Sequence, residues 1–416
     1  MEIAPGIRAY LTLTYEASLA ALRDPALSND PGYWQGLTDG LVPEWIAARI
    51  EPGPVAARSD GAEHQRLRRP LVSGIEGITE KGMFGETTRI VDSVIDELIA
   101  KCRREGEVDL IADFAALVPV LLLSSLFGFS AEKGPEMAEL AVQIRDGDPM
   151  VGAHAKGQLY TRFIGLITDK RRTPGQDLTS RILDGAERYR WSDDELISGL
   201  MQLIGAGHEP TTHLIGNTLY TMLTCTESAA AARTAPAGVE EVLQHVCWTD
   251  PPSTAWPIRY ATTDTRFAPR GVPVVIGFAA AHSDPEVHHG NGSCDPGRHA
   301  AHLIWGVGPH KCPARSVAWA AAVVSVEALL RRVDGLRLVD GGHGLQRQPG
   351  FLVNGWVSLP ATFRAPESRR PPEPEPAATR AAVSHPSADT GAEEEAAGGS
   401  GLVARLLRRL NRAGDK

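Results

Sequence analysis

The chain has 416 residues, and 42 Lys+Arg set against 51 Asp+Glu leave a formal net charge of −9, which excludes a nucleic-acid binder built on counterion release. Its 43% hydrophobic and 22% charged residues are those of a globular protein with one large domain or a few smaller ones. No apolar stretch approaches the roughly 20 residues that span a bilayer. The opening residues also lack a secretory pattern, and the five scattered cysteines form no Cys-x-x-Cys pair, so a cytoplasmic chain without a disulfide framework is expected.

In chain order, the first informative stretch is Asp60-Gly61-Ala62-Glu63-His64-Gln65-Arg66-Leu67-Arg68-Arg69-Pro70. His64 and Arg68 are four apart, so they share one helical face and together suit a carboxylate. A charge run by itself is more often a solvated surface. Apolar periodicity then predicts helices from Phe84 to Cys102, Ser130 to Arg145, Gly157 to Arg172 and Ser192 to Leu223. Ser192-Asp193-Asp194-Glu195 reads as a capping box at the start of the last of these. Inside that helix stands Gly205-Ala206-Gly207-His208-Glu209-Pro210-Thr211-Thr212. Glycine and proline in mid-helix cost roughly 1 and 3 kcal/mol, so a helix that carries both has a reason to be bent. Pro210 cannot bond back to the Ala206 carbonyl, and Gly207 allows close approach of a flat group.

Two further helices are predicted from Gly238 to Val246 and from Ala314 to Val333, with short strands at Arg259 to Thr262, Val272 to Val275 and Leu336 to Val339. Before the last helix runs His302-Leu303-Ile304-Trp305-Gly306-Val307-Gly308-Pro309-His310-Lys311-Cys312-Pro313-Ala314-Arg315. The two glycines permit tight turns beside something flat. Cys312 sits near a helix start, with Pro313 suited to the first helical position, where the helix dipole stabilises a thiolate. Such a thiolate is a metal ligand or a nucleophile; alone, Cys312 would read as a buried inert thiol. From Pro366 to Ser400 the chain is Pro, Glu, Ala, Ser and Gly with no aromatic residue, and it reads as a disordered linker. In 401–416, Leu402, Val403, Leu406, Leu407 and Leu410 lie opposite Arg405, Arg408, Arg409 and Arg412, a basic amphipathic helix suited to an anionic membrane surface or a partner protein. The bland reading is a frayed tail without a role.

The Cys312 loop resembles the cysteine-ligand loop of bacterial cytochromes P-450, Phe-Gly-x-Gly-x-His-x-Cys-x-Gly, with Trp305 in place of the phenylalanine and Ala314 in place of the last glycine. The resemblance implies that Cys312 ligates the iron of haem b (iron protoporphyrin IX), that Trp305 and Gly308 shape the loop around it, and that His310 meets a haem propionate. It also implies propionate contacts for His64 and Arg68, and for Arg259 in the strand Arg259-Tyr260-Ala261-Thr262-Thr263-Asp264. The 205–212 stretch is similar to the family's distal helix, Ala-Gly-x-(Glu/Asp)-Thr-Thr. Glu209 matches the acid and Thr211 the second threonine, the pair expected to manage protons for dioxygen, while Pro210 occupies the principal threonine's place. The Glu-x-x-Arg signature reads Glu241-Val242-Leu243-Gln244, with Arg298 as the arginine of the following meander. Neutral Gln244 cannot make the forked charge-assisted contact. These departures resemble a bacterial subgroup that lacks the arginine. The resemblance covers roughly residues 4 to 363, and the family's usual stretch before Ala9 to Asp24 is longer, which implies a missing first helix or an upstream start.

The whole chain is thus expected to have a mainly α fold with small β-sheets (α+β), made of a haem-thiolate domain over 1–365, a linker over 366–400 and the tail helix over 401–416. The implied activity is a monooxygenase that inserts one atom of dioxygen into an organic substrate of secondary-metabolite or lipid-like type, with electrons from NAD(P)H through ferredoxin and ferredoxin reductase. A rival from another class is a haem-binding regulatory or scaffold protein without turnover, motivated by Gln244, Pro210 and the basic tail. A zinc site among His288, His289, Cys294, His299, His302, His310 and Cys312 fits no common ligand spacing.

Overall fold

A computed structural model describes residues 1–364 apart from 44–45, 48–49, 51–52, 147–148, 226–227, 229–237, 288–300 and 351. The linker over 366–400, the tail helix over 401–416, and the residues His288, His289, Cys294, Arg298 and His299 lie outside the described residues.

Helices make up most of the described chain, and three small sheets accompany them, the mainly α architecture expected. The axis of the molecule is the helix Asp193–Thr224, whose 32 residues at 1.5 Å each span about 48 Å. Its start is the capping box: Ser192 Oγ accepts from the Glu195 amide at 3.2 Å, and the Ser192 amide donates to Glu195 Oε2 at 2.7 Å. From Thr211 to Leu219 every residue is buried, against the helices Leu117–Phe127, Gly238–Thr249 and Arg315–Arg332. The helix Glu80–Glu105 contributes the fully buried Val91, Val94, Ile95 and Leu98 to the same core, each worth about 1.5–3 kcal/mol of transfer free energy.

Leu117–Phe127 has no counterpart among the helices expected from periodicity. It is apolar on nearly every side, so it has no 3.6-residue stripe to read, and an apolar run of that length reads equally as a buried strand. Leu178–Arg188 is a second unexpected helix, although Asp177 caps it by accepting from the Ser180 amide and Leu178, Ile182, Leu183 and Ala186 form a clear stripe. Predicted helix ends elsewhere fall short: Phe84 to Cys102 is Glu80–Glu105, and Gly157 to Arg172 is Pro149–Arg172.

The main sheet orders its strands Tyr10–Leu11, Pro273–Gly277, Ala255–Ala261, Leu27–Ser28; the Ala255–Ala261 strand is thus interior and pairs antiparallel with both neighbours. Early strands such as Leu27–Ser28 are two residues long, too short to show alternation, which is why strands are expected from the sequence only late in the chain. Among the described residues Cys102, Cys247 and Cys312 are free, whereas Cys225 is disulfide-bonded, a bridge that the scattered cysteines did not signal.

Candidate functional site

The Cys312 loop is built by backbone turns that only glycine tolerates cheaply. Gly306 and Gly308 lie at φ +68° and +73°, in the left-handed region. The Leu303 carbonyl accepts from the Gly306 amide at 2.8 Å, Gly308 from Lys311 at 3.1 Å, and Trp305 from Cys312 at 2.7 Å. Trp305 and Cys312 are thereby held side by side. The following helix begins at Arg315 with Ala314 as its cap, so Pro313 lies two residues before the first helical position that the sequence suggested for it. Cys312 is half-buried. Burial pushes its thiol up, while the Ala314 amide and the guanidiniums of Arg68 and Arg315 pull it back toward the thiolate.

Against this loop lies the helix Gly61–Glu76, which carries His64 and Arg68 on one face. The His64 ring sits 3.9 Å from the His310 ring, centroid to centroid, and Arg68 donates to the Lys311 carbonyl. His310 Nε2 is 2.8 Å from Asn29 Nδ2 and 3.5 Å from Asp60 Oδ1. Asp60 also accepts from Ser28 Oγ, and from the Asn29 amide and side chain at 3.0 and 2.7 Å. Burial would raise the Asp60 carboxyl, but its bonds to His310, Ser28 and Asn29 outweigh that and hold it well below the carboxylate range. Arg259, from the interior strand, is 4% exposed and reaches the carbonyls of Leu27 and Leu22 at 3.4 Å each. Burial lowers it to about 10, with Asp60 opposing.

His64, Arg68, Arg259, His310 and Cys312 therefore come together from separate parts of the chain. The Arg259 guanidinium and the two imidazoles share the Asp60 carboxylate, whose oxygens already accept from Ser28 and Asn29. Burial, then the neighbouring His310 and Arg68, push His64 down to about 4. His64 Nε2 and Arg259 Nε are buried without a hydrogen-bond partner, an unusual state for donors of this kind. Such a cluster beside a partly exposed thiol fits a flat metal-bearing macrocycle with anionic carboxylates, and haem has both features.

On the long helix, Gly205, Ala206 and Pro210 are exposed although the next nine residues are buried, and a Cβ at Gly205 would meet nothing within 4 Å. Ala206 and Pro210 are four apart and line one open face. Gly207 differs from the expectation that it admits a flat group: a Cβ there would lie 3.1 Å from Leu123 Cδ1 of the neighbouring helix, so its smallness serves helix packing. Thr211 is 4% exposed, four residues beyond Gly207 on that packed side. One residue turns a helix by about 100°, which removes the Thr211 hydroxyl from the open face that Pro210 occupies. Glu209 is half-buried and, four residues beyond the exposed Gly205, lies on the open side.

Glu241 is exposed, and Gln244 Oε1 is buried without a hydrogen-bond partner. Among the described residues no three of His, Cys, Asp and Glu gather as a metal site. Sequence reasoning assigned no role to Asn29, Asp60 or His282. Asp60 stood within a quoted motif, but Asn29 meets His310 across 281 positions and had no local signal.

A thiol loop turned by two left-handed glycines, beside a basic cluster suited to carboxylates, fits a haem-thiolate protein. Comparison with known proteins agrees. The chain is 28% identical to cytochrome P450 107B1 of Saccharopolyspora erythraea over 368 residues, 85% of this chain and 89% of the relative. It is 29% identical to the 6-deoxyerythronolide B hydroxylase of the same organism (85% and 90% covered) and 28% identical to the vitamin D(3) 25-hydroxylase of Pseudonocardia autotrophica (85% and 88%). Among solved structures, CYP154C4 from Streptomyces sp. ATCC 11861 superposes with a TM-score of 0.77 at 25% identity, covering 88% of this chain and 92% of that one. Cytochrome P450 MoxA from Nonomuraea recticatena gives 0.74 at 26%, covering 86% and 90%. No family model matches the chain. Its homologues in sequence and in fold are bacterial cytochromes P450, which are haem-dependent monooxygenases. Among the described residues no helix is long and apolar enough to cross a membrane.

Proposed function

We propose that Cys312 is the axial thiolate of the haem, that His64, Arg68, Arg259 and His310 hold its propionates, and that Trp305 and Gly308 shape the loop beside the sulfur. The observation that carries this is the set of buried, partly unpartnered donors converging on the Cys312 loop. Bound haem supplies the iron at which this family activates dioxygen. The chain's own part is to favour the Cys312 thiolate through Arg68, Arg315 and the Ala314 amide against the burial that raises it, to neutralise the carboxylates, and to leave room along Ala206 and Pro210. Glu209 is the group we assign to proton handling. Thr211 is withdrawn from that role by its burial, and Pro210 offers no hydroxyl in its stead.

The substrate class we propose is an organic molecule of secondary-metabolite or lipid-like type, supported by relatives whose names specify vitamin D(3) and 6-deoxyerythronolide B as what they hydroxylate. Electrons would come from NAD(P)H through a ferredoxin and its reductase in the cytoplasm. We read the chain as a P450 domain over 1–365, a linker over 366–400 and a basic helix over 401–416, whose test is binding of the full chain, and not of one ending at 365, to anionic vesicles. The test of the site is the carbon monoxide difference spectrum of the reduced protein: a red-shifted thiolate Soret band that disappears in Cys312→Ser is expected. A wild-type band of the histidine or thiol type would overturn the ligand assignment. Pro210 on the open face and the orphaned Gln244 carbonyl favour, as a second reading, a haem protein without turnover; product formed with a surrogate ferredoxin system excludes it.

A further inference from the structure

The two halves of the Cys312 loop are held by different parts of the molecule. Its later half is tied to the Gly61–Glu76 helix and its cap through Arg68 with Lys311, and through Asp60 with His310. Its earlier half enters after residues 288–300 and meets a different anchor. The buried Leu303 amide donates to Nε2 of His282 at 2.9 Å. Nε2 therefore carries no proton, and the ring is in its Nδ1–H tautomer. His282 closes the short helix Phe278–His282 and is 2% exposed. Its ring is fixed by aromatic neighbours: Trp248 at 4.8 Å, Phe278 stacked at 6.2 Å, and His302 edge-on at 6.4 Å. Tyr15 stacks on Trp248 and donates to the Ala301 carbonyl at 2.7 Å, so the same cluster grips the chain two residues before Leu303.

From Leu303 a short run of backbone bonds leads to the cysteine. The Leu303 carbonyl accepts from Gly306, and the Trp305 carbonyl next to Gly306 accepts from Cys312. A shift of Leu303 is thus passed to Cys312 through one turn and one bond across the loop. We infer that His282 is a positioning residue for the thiolate: its imidazole is the acceptor that sets the register of the loop's first half, and so where the sulfur stands. This rests on Cys312 being the ligand. It does not follow from core packing alone, because a side chain of equal bulk without an acceptor would leave the Leu303 amide buried and unbonded.

The test uses the full chain with His282→Leu, which keeps bulk and removes the acceptor, and His282→Gln, whose amide oxygen falls near the place of Nε2. Two readouts are taken. Hydrogen exchange of the segment 301–306 reports the Leu303 bond whether or not haem is present. The reduced carbon monoxide spectrum reports the fraction of haem bound through thiolate. In His282→Leu we expect Leu303 exchange to quicken about tenfold, as loss of a buried hydrogen bond implies, and the non-thiolate band to grow several-fold. His282→Gln should stay within about twofold of wild type in both, the span of a hydrogen bond kept with slightly poorer geometry. Unchanged exchange in the Glu80–Glu105 helix verifies that each variant is folded.

The inference is overturned if His282→Leu leaves the thiolate fraction unchanged, or if His282→Gln fails as fully as His282→Leu, which would make ring shape the requirement. A wild-type protein with no thiolate band would instead overturn the assignment of Cys312, and with it any positioning of a thiolate by His282.

Discussion

Replacing Arg259 with methionine should act in opposite directions on the haem-free and haem-loaded protein. The guanidinium is 4% exposed, its Nε has no partner among the described residues, and its two remaining bonds are long, 3.4 Å each. Burial lowers it from the ordinary arginine value to about 10, a displacement equivalent to about 3 kcal/mol spent on holding a charge away from water. Methionine removes that cost and fills similar volume, but it leaves the Leu22 and Leu27 carbonyls without a donor, at about 1 kcal/mol each for bonds this long. The net expectation is a haem-free protein more stable by about 1 kcal/mol. With haem bound the sign reverses, because a charge-assisted bond to a carboxylate is lost, worth about 1.5–3 kcal/mol or roughly 10- to 100-fold in affinity. Urea unfolding of the haem-free forms and the rate of haem transfer to an acceptor globin measure the two quantities. If Arg259→Met destabilises the haem-free chain and leaves haem loss unchanged, the arginine is a clamp for the Leu22 and Leu27 carbonyls and holds no haem carboxylate.

Three other outcomes are expected. Thr211→Val should leave the coupling of oxygen consumption to product within about twofold of wild type, because a hydroxyl that makes no transition-state contact contributes little to rate, whereas Glu209→Gln should lower it; equal losses in both would return the proton role to Thr211. Stability of the haem-free chain should fall as pH drops from 6.5 toward 4. The cause is that His64 and His302, both pushed down to about 4 and first of all by burial, stay neutral when folded while the unfolded chain takes up protons. The total loss amounts to at most about 3 kcal/mol per ring and should shrink once haem carboxylates stand beside His64; an identical profile with and without haem would place the carboxylates elsewhere. Gln244→Leu removes a buried carbonyl that has no partner and should raise stability by about 1 kcal/mol in chemical denaturation, while a loss of that size would show that the amide is satisfied in solution.

Much of the site was legible in the linear sequence because its chemistry is local. The His64 and Arg68 pair is one helical turn, Gly306, Gly308 and Cys312 are one loop, and the capping box is four consecutive residues. Short-range geometry of this kind follows from backbone sterics and the 3.6-residue period, which need no knowledge of neighbours. The mainly helical fold and the haem cofactor followed from those pieces. The tertiary structure alone decided which face each residue takes. Gly207 and Thr211 went to the packed side of the long helix, because Leu123 of an all-apolar helix without a readable stripe lies against it. Glu241 went to solvent, whereas the Gln244 carbonyl went inward and is buried without a partner. Asn29, Asp60 and His282 became supports of the cysteine loop through contacts that span up to 281 positions. Burial and partner choice at that range depend on how whole helices dock, and packing free energy summed over a core is not contained in any one segment.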